Sequence, residues 1–175
     1  MPVLKKTLPY ETEVKTTEND FLLLGKVRVR QIRVEKESCS YPQSLTELFA
    51  LKLNCTDSLS LLNDDTQNYD KSWEEPIENS DLLDEWAFQS ALDIKSVPFI
   101  GQLTIYGGGG YIVDFNHDID VTQKIFRLKN NKWFDERTKA VFIELTLYNV
   151  NVNLFSSVMM VAEYSSTGGL LKSGE

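Results

Sequence analysis

The sequence contains very few of the residues that most often carry chemistry: one histidine, His117, and two cysteines, Cys39 and Cys55, among 175 residues. A catalytic histidine needs a nucleophile or a pair of acids within reach, and His117 has no such neighbour at a suitable spacing in the sequence. We therefore interpret His117 as a loop residue. We predict that the chain is not an enzyme, that it has no catalytic residues and that it uses no cofactor.

Long apolar runs are also absent. No segment approaches the roughly 20 consecutive apolar residues that a membrane-spanning helix requires, and the first residues are too polar for a signal peptide. The chain as given is therefore expected to be soluble. With 175 residues, of which 42% are apolar, it is long enough to bury one hydrophobic core, so one domain is predicted.

The sequence has no excess of basic residues, and its net charge is −8. Residues 57–85 contain ten acids and one base, Lys71, and so carry a charge of −9, whereas the remainder holds 16 acids and 17 bases. Nucleic-acid binding requires a basic surface, so no nucleic-acid partner is expected. We interpret residues 57–86 as an acidic insertion exposed to solvent, and the alternative is that it binds a cation or a basic partner.

The longest run of residues that favour β-structure covers 139–164. Its apolar positions alternate and then change phase near Asn149, which indicates a break. A single strand of this length would span on the order of 80 Å, so we predict two central strands joined near residues 149–153. Three asparagines at every second position are interpreted as a polar exposed face or a bend: Asn149, Asn151 and Asn153.

The beginning of the chain divides into two parts. Residues 1–20 have no sustained periodicity and are predicted to form a flexible arm or linker. Residues 21–34 are predicted to form a strand with a bulge or sharp twist near Arg30-Gln31, because the apolar positions change face there. Three arginines of this strand are interpreted as a solvated basic edge, with the docking of a partner's carboxylates as the alternative; they are Arg28, Arg30 and Arg33.

The next unit of the sequence contains the two cysteines. Ser44 and Glu47 have the spacing of a capping box that begins a helix. Extended residues before that helix can return the chain, so that Cys39 and Cys55 can lie within disulfide distance, and such a bond would contribute about 3 kcal/mol. Asn54 begins an N-x-T sequon, which is glycosylated only in the secretory pathway. Together the two features indicate an oxidising compartment.

Four consecutive glycines, residues 107–110, separate two apolar segments. We predict a β-hairpin with a Gly-rich tip, in which the glycines supply positive φ. A phosphate-binding loop would be followed by a helix, whereas a strand-like run follows here. Earlier in the sequence, residues 86–91 are predicted to form a short strand, and the alternative is that residues 82–92 form a helical turn capped by Ser80.

Residues 114–120 have the acidic spacing of a calcium loop, but Ile119 stands where such a loop needs glycine. No metal site is therefore predicted. Asp120 and Gln123 instead have the pattern of a helix N-cap, and the helix is expected to end near Asn131. Together, these elements predict an α+β fold: a twisted antiparallel β-sheet with two or three α-helices on one side and a long Gly-tipped β-hairpin.

Three segments resemble the extracellular polycystin domain, also called the TOP domain, of the polycystin family: VRVRQIRVEKESCS, IYGGGGYIVDF and KWFDERTKAVFIELTLYNVNVNLFSSVMMVAEYSSTGG. The resemblance spans about residues 22–169 and is weakest in the acidic insertion. The GGGGY segment is more similar to the polycystin-1 branch than to the shorter channel-only branch. The resemblance implies one domain over residues 21–169, followed by a tail over 170–175, and a disulfide between the cysteines that match Cys39 and Cys55.

The resemblance also implies a function. In that family the domain is extracytosolic and is inserted between the first two membrane helices of a cation-channel subunit, on the extracellular or lumenal side of the plasma or ciliary membrane. It would mediate assembly with other polycystin subunits into a homo- or hetero-tetramer and regulate the pore. We expect the isolated domain to be a monomer, because it lacks the membrane helices that hold neighbouring domains together.

The predicted contact surface consists of segments that leave the sheet without an evident packing role, which is typical of binding loops. These are the insertion after Cys55 and the residues Gly107, Gly108, Gly109, Gly110 and Tyr111. Arg28 and Arg30 of the first strand are included in the predicted surface, because they could bind a partner's carboxylates. The alternative hypothesis is a freestanding secreted domain that binds a cation or a carbohydrate through the acidic insertion or the Gly-rich hairpin.

Overall fold

The computed structural model describes residues 21–36, 59–60, 63–76, 84–116, 120–166 and 168–174. They form a six-stranded antiparallel sheet in the order β2-β5-β1-β6-β7-β8 and a separate two-stranded sheet, β3-β4. The elements are β1 (Phe21–Arg33), β2 (Phe88–Gln89), α1 (Ala91–Ile94), β3 (Phe99–Ile100), β4 (Ile105–Tyr106), β5 (Gly110–Phe115), α2 (Val121–Asn130), β6 (Thr138–Asn149), β7 (Leu154–Tyr164) and β8 (Leu170–Gly174).

The two strands predicted in 139–164 are confirmed as β6 and β7, which pair from Ala140 to Asn149 and lie inside the sheet. The asparagines form the turn between them. The Asn149 side chain accepts hydrogen bonds from the backbone N–H groups of Asn151 and Val152, at 3.0 and 3.3 Å. Asn153 has a φ of +55°, a left-handed conformation that asparagine tolerates well.

Strand β1 lies at the centre of the sheet, between β5 and β6. A bulge or sharp twist was predicted near Arg30-Gln31, and the pairing with β6 shifts register close by, between Ile32 and Arg33. A further shift lies between Leu24 and Arg28, and pairing is regular from Arg28 to Ile32. Both faces of the sheet are buried here, so the apolar residues need not keep to one face. Gly25, with a φ of +74°, lies within the shift between Leu24 and Arg28.

Two hydrophobic cores cover the two faces of the sheet. The first core contains Ile32, Val34, Leu59, Tyr106, Ala140, Phe142 and Val161. The second core is strongly aromatic and contains Tyr69, Trp86, Tyr111, Val113, Leu128 and Trp133. Because β1 is covered on both faces, Arg30 and Arg33 are buried, and their interpretation as a solvated basic edge is wrong.

Much of the described acidic insertion packs inside the protein. Asp65 is buried and accepts hydrogen bonds from Arg33 at 3.3 Å, Arg137 at 2.5 Å and Tyr69 at 3.0 Å. Trp86 and Tyr69 belong to the second core. The prediction of a solvent-exposed insertion is therefore wrong for these residues. The arginines neutralise the buried carboxylate of Asp65, and the aromatic rings of Tyr69 and Trp86 pack in the hydrophobic core.

The predicted Gly-tipped hairpin is not formed. Strand β4, before the glycines, pairs with β3, whereas β5, after them, pairs with β1 and β2. The glycines therefore connect two sheets. An added Cβ on Gly108 would lie 2.8 Å from the Ser96 carbonyl oxygen, and one on Gly109 would lie 2.8 Å from the Phe88 ring. These glycines therefore allow the backbone to pack closely against its neighbours and do not form the tip of a hairpin.

Helix α2 is confirmed. The Asp120 side chain caps it by accepting a hydrogen bond of 3.1 Å from the N–H of Gln123, and Leu128 packs into the second core. The strand and the helical turn predicted in this part of the chain are both present in part. The strand is β2, a 3₁₀ turn (Asp84–Trp86) precedes it, and α1 follows with Ser90 as its N-cap. The helix predicted from Ser44, and Ser80 as a cap, lie outside the described residues.

The described chain is thus mostly antiparallel sheet with few helices, compatible with the predicted α+β class. Of the residues assigned to a tail, Leu170–Gly174 form β8 and pair with β7.

Candidate interaction surface

Arg30 fixes the Gly-rich segment to the central strand. Its guanidinium donates hydrogen bonds to the carbonyl oxygens of Gly107 and Gly109, at 3.0 and 3.1 Å, and contacts Glu144 at 3.4 Å. It also lies 4.0 Å from the centre of the Phe142 ring. Burial lowers the pKa of Arg30, and Glu144 partly opposes this effect. Arg30 therefore has an internal structural role.

Residues 107–111 also pack inside the protein. The Tyr111 ring is fully buried, and its hydroxyl donates a hydrogen bond of 2.8 Å to the carbonyl oxygen of Gln67. An added Cβ on Gly110 would lie 2.6 Å from the carbonyl oxygen of Gln31. The premise that this segment has no packing role is therefore wrong, although a contact of residues 107–111 with a partner stays a prediction.

Arg28, the other arginine of the predicted interface, is only partly buried. It donates hydrogen bonds of 2.9 and 3.2 Å to the two carboxylate oxygens of Asp114, which Lys26 also contacts. Burial alone would raise the pKa of Asp114, but the hydrogen bonds from Arg28 and Lys26 hold it below its usual value. Asp114 is thus an ion-pair partner of these two cations.

The described part of the chain offers a different exposed surface on α1 and the β3-β4 hairpin. Ser90 and Asp93 form a capping box at the start of α1. Glu163 of β7, which is completely buried, holds the hairpin turn by accepting hydrogen bonds from the N–H groups of Gln102 and Leu103, both at 2.9 Å, and from the Tyr106 hydroxyl at 2.8 Å. The turn therefore has one fixed position above the sheet.

The apolar side chains that this unit turns outward are called here the outer patch: Leu92, Val97, Ile100, Leu103 and Ile105. Leu92 is 88% exposed, Ile100 78% and Val97 75%. Exposed apolar side chains grouped on a rigid unit are typical of protein contact sites. This surface was not predicted, because the apolar residues before the glycines were interpreted as one strand of a long hairpin. The absence of charged residues from 96–113 could have indicated it.

The predicted disulfide partners, Cys39 and Cys55, the sequon at Asn54 and His117 lie outside the described residues. Within the described ranges, no group of three or more His, Cys, Asp or Glu side chains is placed to hold a metal ion. In the same ranges, no helix has the length and apolar character needed to cross a membrane.

The chain was compared with known proteins. The family model for the Polycystin domain matches residues 5–175. Polycystin-2 of Danio rerio is 34% identical over 96% of this chain and 17% of that protein, and Polycystin-2-like protein 2 of Homo sapiens is 32% identical over 87% of this chain and 22% of that protein. Polycystin-1-like protein 3 of Mus musculus is 31% identical over 90% of this chain and 7% of that protein.

These relatives come from both the polycystin-1-like and the polycystin-2-like groups, so the predicted similarity to the polycystin-1 branch stays a prediction. The chain spans less than a quarter of the length of each of the three. Their names are those of polycystins and do not describe enzymes. Because the family model covers nearly all of the sequence, the chain belongs to the polycystin domain family.

Proposed function

We propose that the chain is the extracytosolic domain of a polycystin cation-channel subunit, inserted between the first two membrane helices, where it mediates subunit assembly and regulates the pore. The observation that carries this proposal is the match of the Polycystin domain family over residues 5–175. The domain would lie on the extracellular or lumenal side of the plasma or ciliary membrane, with other polycystin subunits as partners in a homo- or hetero-tetramer. The disulfide between Cys39 and Cys55 and glycosylation of Asn54 belong to the same proposal.

Among the described residues, the outer patch is the surface that fits best with assembly. Two copies that each carry a net charge of −8 repel one another, so a contact between them is favoured where charge is absent. Four of the five residues of the outer patch lie within 96–113, which contains no charged side chain, and Leu92 lies beside Asp93 at the edge of this stretch. Interface cores are depleted of charges and rich in apolar groups, and their rims are polar. Because Glu163 fixes the hairpin, little conformational entropy would be lost on association.

No observation on the described residues favours the alternative of a secreted cation- or carbohydrate-binding domain. The buried acid of the insertion, Asp65, is paired with Arg33 and Arg137, and the Gly-rich segment is packed against β1 and α1. Neither presents the oxygen-lined site that a hard cation needs.

Self-association of the chain at high concentration tests the assembly proposal. Contacts that suffice between tethered domains have dissociation constants of about 0.1–1 mM when untethered. We expect weak, reversible association in sedimentation equilibrium as the protein concentration approaches about 1 mM. The substitution Ile100→Asp places a charge in the outer patch and is expected to abolish it.

The matched control is Val152→Asp, which places the same charge on another exposed apolar residue, in the β6-β7 turn. This variant should associate like the unmodified chain. Equal association of all three proteins would show that the outer patch is not the contact surface. If none of the three associates at about 1 mM, the domain does not contribute to assembly by itself.

A further inference from the structure

One end of the main sheet projects beyond both cores. In β6, residues 138–142 are buried and none of residues 143–149 is, and in β1 burial is confined to residues 30–33. Strands β6 and β7 continue past this point in regular register, with Asn149 paired to Leu154, and β1 pairs with β6 again after the irregularity at Gly25, with Phe21 opposite Asn149. We call residues 21–24 and 147–156 the apolar end.

Side chains of the apolar end are exposed although most are apolar. Phe155 is 70% exposed, Leu154 63% and Val152 59%, and Val150 and Phe21 are also exposed. The Phe155 ring lies against Tyr148, with 4.9 Å between ring centres. An exposed apolar group of this size, formed by three neighbouring strands, is typical of a contact surface.

Charge is absent from this end. No Asp, Glu, Lys or Arg occurs in residues 145–162 or 21–25, in a chain of which 25% is charged. A surface that meets another soluble protein normally has a polar rim, whereas charged side chains are costly near the hydrocarbon of a membrane. Aromatic rings combined with uncharged polar groups are typical of the boundary between lipid headgroups and acyl chains.

Polar groups of the turn bond to one another. The Asn149 side chain accepts hydrogen bonds from two backbone N–H groups of the turn, and the Tyr148 hydroxyl donates a hydrogen bond of 2.7 Å to the Asn153 side chain. Internal hydrogen bonds of this kind are required where water is scarce, because an unsatisfied polar group there costs several kcal/mol.

The path of the chain leads to this same end. Strand β1 begins here, since Phe21 pairs with Asn149, and β8 runs from the Tyr164 level toward the apolar end, reaching Met160 at Gly174. In the relatives, at least 78% of the protein lies outside the matched region (100 − 22). Among the described residues, β1 thus begins at the apolar end and β8 ends in its direction.

From these observations we infer that the apolar end contacts the interfacial region of an uncharged lipid bilayer, with Leu154 and Phe155 as its main anchors. The inference rests on the proposed function, because that function places the domain beside a membrane. The contact is weak without a tether, since two or three partly buried side chains give only reversible membrane binding. In the parent protein the flanking chain would supply the tether.

Fluorescence on tethered protein tests the inference. The full chain with an N-terminal histidine tag is bound to phosphatidylcholine vesicles that contain a small fraction of nickel-chelating lipid, with and without brominated acyl chains. An interfacial residue lies about 5–10 Å into the headgroup and acyl boundary, close to the bromines. The emission that Phe155→Trp adds to that of the native Trp73, Trp86 and Trp133, measured as the difference from the unmodified tethered chain, is therefore expected to shift to the blue and to fall by about half. Val152→Trp, in the neighbouring turn, provides a second reporter.

The matched control is Leu92→Trp, which is also exposed but lies on α1, away from the apolar end. It uses the same tether and is expected to show no quenching. Absent or equal quenching in the two positions would overturn the inference. Two further results would overturn the inference. A blue-shifted emission of Phe155→Trp in dilute solution without vesicles would mean that another part of the chain covers the apolar end. A blue shift that grows with protein concentration would mean that a second copy of the chain covers it.

This test can fail independently of the proposed function. Association through the outer patch is measured without lipid, so loss of quenching would leave the assembly result unchanged. Conversely, Ile100→Asp, which is expected to abolish association, is expected to leave the quenching of Phe155→Trp intact.

Discussion

The guanidinium carbon of Arg33 lies 3.4 Å from the centre of the Trp73 ring. The same guanidinium contacts Asp65 at 3.3 Å and Asp135 at 2.5 Å. One arginine of the central strand thus joins the acidic insertion, through Trp73 and Asp65, to the segment before β6. Such planar stacking combined with two carboxylate contacts suits arginine and not lysine.

Arg33→Ala is expected to destabilise the protein by about 3–5 kcal/mol, because it leaves the carboxylate of Asp65 buried with one cation fewer. The midpoint of urea denaturation measures this change. Lys71→Ala removes an exposed cation of the same insertion and should change stability by less than about 0.5 kcal/mol. A loss of similar size in both variants would contradict the internal role of Arg33.

Glu163→Gln is expected to cost about 2–3 kcal/mol, because the amide NH₂ cannot accept the hydrogen bonds that the carboxylate accepts from Gln102, Leu103 and Tyr106. Tyr106→Phe removes one of these bonds and should cost about 1 kcal/mol. Amide hydrogen exchange at Gln102 and Leu103 measures the effect locally. Unchanged exchange in Glu163→Gln would show that the buried carboxylate does not hold the hairpin.

Asp64 makes stability depend on pH. One of its carboxylate oxygens is buried without a hydrogen-bond partner, and burial raises the pKa of Asp64 from 3.8 to about 6. Because the folded state binds this proton more tightly than the unfolded state, the contribution of Asp64 to stability is fully present below about pH 4 and is lost as the pH rises to about 6.

Asp64→Asn is accordingly expected to stabilise the protein at pH 7 by about 1–3 kcal/mol, a range reduced for the partial exposure of this residue, and to have little effect at pH 4. Urea denaturation of both proteins across this pH range measures the difference. A difference that stays constant between pH 4 and pH 7 would argue against the raised pKa.

Gly110→Ala is expected to destabilise the protein by about 2–4 kcal/mol. Gly110 has a φ of +151°, and an added Cβ would lie 2.6 Å from the backbone oxygen of Gln31, which cannot move without breaking the sheet. Gly169→Ala is the control, because the nearest atom to its added Cβ is 3.7 Å away. Thermal unfolding of the two variants compares them, and a tolerated Gly110→Ala would mean that the β1-β5 contact is loose.

The isolated chain is expected to be a monomer at micromolar concentration, because contacts with dissociation constants of about 0.1–1 mM are too weak to populate a complex there. Its charge of −8 opposes association further. Sedimentation velocity measures the state directly. A stable tetramer at this concentration would show that the domain drives assembly without its membrane helices.

The features that local patterns predicted correctly depend on neighbouring residues. The break near Asn149 follows from a phase change within a few residues, and the cap of α2 from Asp120 and Gln123. The Arg30 environment could not be predicted in this way, because its partners Gly107 and Glu144 are brought to it only by pairing with distant strands. A charged residue in an alternating strand looks exposed until its partner is known.

The packing of residues 107–110 also depends on residues that are distant in the sequence. Four glycines in a row are equally compatible with a free tip and with a segment that packs closely against other backbone. The choice depends on Ser96, Phe88 and Gln31, which contact the glycines only in the folded protein. Similarly, the outer patch could be identified only once Glu163 was known to hold the β3-β4 turn above the sheet.

The central position of β1 affects the order in which the protein can form during synthesis. Its partners, β5 and β6, begin at Gly110 and Thr138, so β1 emerges at least 76 residues before either neighbour (110 − 33 − 1). At about 5–20 residues per second, this leaves β1 unpaired for about 4–15 s. Unpaired strands are prone to aggregate, and positive charges protect them. Lys26, Arg28, Arg30 and Arg33 would therefore keep the nascent strand apart from other chains before they acquire their acidic and backbone partners in the finished sheet.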